Sequence, residues 1–73
     1  MYFQTYQVNN QFVLDIMYRI SNFVEFRQYV DWCTETFDKD EWDYSRPDVI
    51  TLRITFNREE HRSFFLLKWA LNE

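Results

Sequence analysis

The chain has 73 residues, a formal net charge of −4 at pH 7, no glycine, a single cysteine, a single histidine and 22% aromatic residues. That length allows one domain, and a domain of this size buries only about 60% of the surface its unfolded chain exposes, so its core has to be built from bulky rings that each remove about 150–250 Å² from water. The missing glycines exclude Walker-type and dinucleotide-binding loops, the acidic balance opposes a phosphate backbone as general partner, and the lone Cys33 rules out an internal disulfide.

In chain order, residues 2–8 read as a first strand, and Asn9-Asn10 supplies the turn residues that a glycine-free hairpin needs. In residues 11–20, Phe12, Leu14, Ile16, Tyr18 and Ile20 alternate with Val13, Asp15, Met17 and Arg19. The same stretch also offers a helical stripe of Phe12, Val13, Ile16, Met17 and Ile20, but the unbroken alternation favours a strand. Ser21-Asn22 breaks the pattern, and Asn22 with Glu25 three residues later reads as a capping box. The helix it opens carries Phe23, Phe26, Val30, Cys33 and Phe37 on one stripe and ends near Phe37.

Asp38 to Glu41 forms a polar loop, Trp42-Asp43-Tyr44 a short extended piece and Ser45-Arg46-Pro47-Asp48 a turn. A strand from about Val49 to Phe56 follows, with Ile50, Leu52, Ile54 and Phe56 on one face, and runs into an Asn57-capped helix over about Arg58 to Leu71. The resulting order, ββαββα, predicts an α+β fold: a four-stranded antiparallel sheet with two helices on one face, one version of which is a permuted ferredoxin-like arrangement. The expected core face is Phe12, Leu14, Ile16, Ile50, Leu52, Ile54 and Phe56, packed on Phe26, Val30, Phe37, Phe64 and Leu67.

The run Tyr29-Val30-Asp31-Trp32-Cys33, then Phe37, Trp42-Asp43-Tyr44, Ile54 to His61, and Phe64 to Trp69 resembles small accessory proteins of tailed bacteriophages, those of marine cyanophages in particular. The resemblance covers residues 29–71, leaves the first 28 uncovered and rests on a structural signature with no catalytic residue in it. It implies a viral accessory or minor virion structural protein, working in the host cytoplasm. Reducing surroundings agree with the lone cysteine. No basic-then-apolar leader opens the chain, and no window approaches the roughly 18 apolar residues of a membrane span, so a soluble protein without a membrane partner is expected.

No catalytic, cofactor or metal site is expected, and the chain reads as a non-enzyme. His61 has no second histidine at zinc spacing and reads as a helix-edge residue beside Phe64 and Phe65. Asp38, Asp40, Glu41 and Asp43 lack the glycine and distal glutamate of a calcium loop and read as a solvated acidic loop. Cys33 falls on the core stripe, where a thiol behaves as a small hydrophobe.

Two surfaces remain. The final helix is apolar on every side, with stripes of Phe64, Leu67 and Leu71, of Phe65 and Trp69, and of Leu66 and Ala70, and a two-layer domain covers at most two of them. An interface at Phe65, Leu66, Trp69 and Ala70, for a homodimer or a host protein, is the leading expectation. The competing reading buries the third stripe under the first helix and the loop containing Trp42 and Tyr44. The alternative surface is the outer sheet face, where Tyr2, Tyr6, Arg19 and Arg53 offer the tyrosine-and-arginine mixture of a single-strand nucleic-acid platform, a reading that the net charge disfavours.

Overall fold

The computed structural model describes residues 2–17 and 23–69, with Tyr2 and residues 23–25 described in backbone only. Its elements are β1 (Tyr2–Val8), β2 (Gln11–Met17), α1 (Phe23–Thr36), β3 (Trp42–Asp48), β4 (Thr51–Phe56) and α2 (Glu59–Trp69). The expected strand extension over residues 18–20, the Asn22 cap, the stripe residues Ala70 and Leu71, and Arg19 lie outside the described residues, as do the side chains of Tyr2 and Phe23.

The four strands form one antiparallel sheet in the order β1-β2-β4-β3. β2 and β3 are therefore parallel, separated by β4 and joined through α1, which is a split βαβ unit. This is the order obtained by linking the last strand of a ferredoxin-like sheet to the first, which lies beside it, and reopening the chain before that last strand. Residues 11–17 are a strand, with Phe12, Leu14 and Ile16 opposite Phe56, Ile54 and Leu52. The hairpin turns at Asn9-Asn10, and Asn9 takes φ 56°, a left-handed conformation that asparagine tolerates. Gln7 Nε2 donates to the Asn9 carbonyl at 3.1 Å and steadies the turn.

Leu14, Ile16, Leu52, Ile54 and Phe56 are fully enclosed beneath the helices, and each such side chain contributes about 1.5–3 kcal/mol by leaving water. α1 supplies Phe26, Tyr29 and Cys33 to this core, with Phe37 just beyond its end. Val30 is half-buried against it. Tyr29, which the expected stripe omits, points inward because it meets Phe65 and Trp69 of α2, at ring-centroid distances of 5.7 and 4.8 Å. The loop after α1 is tied to the β4–α2 junction: the Asn57 N–H donates to the Glu41 carbonyl at 3.1 Å and Asn57 Nδ2 to the Asp40 carbonyl at 3.0 Å.

Three expectations are corrected here: the Ser45–Asp48 turn, the place of Ile50, and the places of Phe64 and Leu67. The Ser45–Asp48 segment is not a turn but the second half of β3, and the turn falls one step later, at Val49-Ile50. Asp48 fixes it, because its Oδ1 accepts the Ile50 N–H at 2.9 Å, and Arg46 Nη2 donates to the Val49 carbonyl at 2.9 Å. Pro47 is accommodated because β3 is an edge strand and the register shifts in a bulge between Ser45 and Asp48. Ile50 consequently leaves the core face and is 38% exposed. Phe64 and Leu67, expected on the core, lie on the outside of α2, because Phe65 takes the central inward position.

Candidate interaction surfaces

α2 begins on Glu59 and Glu60, whose charges suit a helix N-terminus, and carries Lys68 in its last turn. Its phase is set by Phe65, which is fully buried against Phe56 and the α1 rings at Tyr29 and Trp32. Leu66 and Trp69 flank it, partly buried and packed on the core. Of the expected interface, Phe65 is therefore a core residue rather than a surface anchor, because rings of α1 and β4 enclose it. Leu66 and Trp69 keep only part of their surface.

The exposed apolar strip of α2 lies one phase away, at Phe64 and Leu67, which are 49% and 57% exposed. Residues three apart on a helix are neighbours, so these two form one patch. Phe64 extends it toward α1, where its ring meets half-buried Trp32 edge-on at 5.4 Å. The signal for this strip was the all-round apolar composition of the helix; its phase was not readable from composition.

On the outer sheet face, the β1–β2–β4 register aligns Tyr6 with Val13, Asp15 with Arg53, and Val13 with Thr55. Asp15 Oδ1 accepts from Arg53 Nε at 2.9 Å and its Oδ2 from Arg53 Nη2 at 3.1 Å, a two-pronged ion pair. The Tyr6 hydroxyl donates to the same Oδ2 at 3.1 Å. Asp15 is 6% exposed. Burial, then the hydrogen bond to Asp15, raises the Tyr6 phenol above its ordinary value, and the Asp15 bond raises Arg53. Tyr6 and Arg53, the nucleic-acid contacts of the alternative reading, are thus brought together, but around an acid that already occupies the guanidinium fork. Alternation shows Asp15 only as a polar member of β2, and it is the β2–β4 register that places it beside Arg53.

The remaining candidates take structural positions. Cys33 is fully buried, and burial pushes its thiol up to about 12, which removes the thiolate that nucleophilic chemistry requires. His61 stacks on Phe37 at 4.6 Å, with Nδ1 3.4 Å from Glu41 Oε2 but not aligned as a hydrogen bond. Asp38, Asp40 and Asp43 are exposed. Among the described residues no three histidine, cysteine or acidic side chains converge to hold a metal ion, and no helix is long and apolar enough to cross a membrane. No family model, curated protein or solved structure matches the chain.

Proposed function

We propose that the chain acts by binding another protein through the outer face of α2, at Phe64 and Leu67, and has no catalytic role. The observation that carries this reading is the half-exposed pair of large apolar side chains, adjacent on one helix and backed by the fully buried Phe65. Rigid apolar groups on a packed support lose little entropy when a partner covers them, which is how interface anchors come to dominate binding energy. The bacteriophage resemblance of residues 29–71 includes this helix and makes a host-cell protein the natural occupant, with self-association as the other case.

Capture from a bacterial lysate by the parent chain and by Leu67→Glu tests the reading. A protein retained by the parent and lost by the variant, with the variant's melting temperature unchanged, is the expected outcome. Identical capture by both, or a variant that unfolds, would overturn it, the second because it would make the strip part of the core.

A further inference from the structure

The two edges of the sheet differ in a way that bears on association. β3 is an edge that rejects pairing: it carries Asp43, Arg46 and Asp48, contains Pro47 and is bent by the bulge between Ser45 and Asp48. These are the devices by which natural sheets prevent edge-to-edge contact. β1, at the other edge, has none of them. Its seven residues, Tyr-Phe-Gln-Thr-Tyr-Gln-Val, hold no charge and no proline, and its pairing with β2 runs without a register shift from Tyr2 to Val8.

The hairpin determines which backbone groups this edge offers. A two-residue turn makes the flanking residues Val8 and Gln11 a mutually hydrogen-bonded pair, and bonded pairs recur at every second position of an antiparallel ladder. Tyr6 and Val13 are then also bonded, and Phe3, Thr5 and Gln7 direct their N–H and C=O groups away from β2. No other described element pairs with these outward groups.

We propose that β1 pairs antiparallel with the β1 of a second copy of this chain, about a two-fold axis at Thr5, so that one sheet runs through both copies. Three observations select a second copy. The strand is self-complementary in this register, with Thr5 facing Thr5, Phe3 facing Gln7 and Gln4 facing Tyr6, and no like charges meet although the chain as a whole is acidic. The blunted β3 edge stops growth at two copies, whereas a second receptive edge would propagate a fibre. Finally, Arg62 Nη1 donates to the Tyr6 carbonyl at 3.1 Å and its guanidinium lies 5.3 Å from the Phe12 ring, so the Arg62 side of α2 overhangs β1. A two-fold axis perpendicular to the sheet keeps both helix layers on one side. It brings partly buried Leu66, one turn beyond Arg62, toward the corresponding helix of the other copy. Leu66 thereby becomes a residue of the seam, and the Phe64–Leu67 strip stays open to a different protein.

The test is sedimentation of the whole chain at low and high micromolar concentration beside Thr5→Lys, joined to amide hydrogen exchange. Thr5 is exposed, and a lysine there places two like charges face to face on the axis while leaving the hairpin intact. The expected result is a parent of twice the 9.3 kDa chain mass and a variant of half the parent's mass with the same circular dichroism. Exchange at the Phe3, Thr5 and Gln7 amides should slow as the parent is concentrated. A parent that remains at 9.3 kDa overturns the proposal, as does an associated parent whose β1 amides exchange as they do at dilution. The second result would move self-association to α2. If Thr5→Lys fails to fold, the parent's exchange data decide alone, and lysate capture by Leu67→Glu is unaffected by either outcome.

Discussion

Asp15 is the residue through which the outer sheet face is organised. It holds Arg53 with two hydrogen bonds and receives the Tyr6 hydroxyl, so three strands are cross-linked at one carboxylate. Removing a partner from a largely buried pair costs several kcal/mol in the interior, but Arg53 is 39% exposed and water screens its share. Asp15→Ala should therefore lower stability by about 1–3 kcal/mol, measured by urea unfolding. A loss no larger than that of an ordinary surface substitution would show the pair to be ornamental. The folded chain holds the Tyr6 phenol proton more tightly than the unfolded chain, so this contribution to stability is complete below the ordinary value of 10.0 and is lost as pH rises through the raised value. In an ultraviolet titration Tyr6 should ionise above the ordinary phenol value of 10.0, and Tyr6→Phe should remove that step. Cys33, raised to about 12 by burial, should react with thiol reagents at pH 8 only as fast as the chain opens. The sequence places Cys33 on the core stripe because helical spacing is local. It could not join Asp15 to Arg53, since that contact spans 38 positions and depends on the β2–β4 register.

At the scale of elements, the strands were legible wherever one face is apolar and the other polar. Leu52, Ile54 and Phe56 are the inward face of β4, as alternation requires. The same alternation extended the core face to Ile50, where a competing local interaction wins: the Asp48 carboxylate captures the Ile50 N–H and makes the turn. α2 shows a different limit. Periodicity fixes the phase of a helix only when one side is polar, and residues 64–67 are apolar without a break. Aromatic packing fixed it instead, with Phe65 set among Tyr29, Trp32, Phe56 and Trp69. Phe65→Ala should accordingly cost about 3–5 kcal/mol and Ile54→Ala about 2–5 kcal/mol, enough to unfold much of so small a domain. Phe64→Ala, at a half-exposed site, should cost clearly less, and thermal melting of the three variants ranks them. Equal losses at Phe64 and Phe65 would contradict the assigned phase.

For the whole molecule, a two-layer architecture leaves three surfaces unlike one another: a sheet face closed on itself by Asp15, a sheet edge without charge at β1, and an apolar strip on the helix layer. The first is the face of the alternative nucleic-acid reading, which the net charge disfavours, and the occupied guanidinium of Arg53 also weighs against that use. The other two are the proposed contact surfaces for protein, and that use needs no chemistry beyond packing and backbone hydrogen bonding. The central claim is that the α2 strip meets another polypeptide, and photocrosslinking tests it most directly. A photoreactive side chain at Leu67 should give an adduct of discrete mass in lysate, while the same group at Thr55, on the opposite face of the sheet, should not. No adduct from position 67, or the same adducts from both positions, would contradict it.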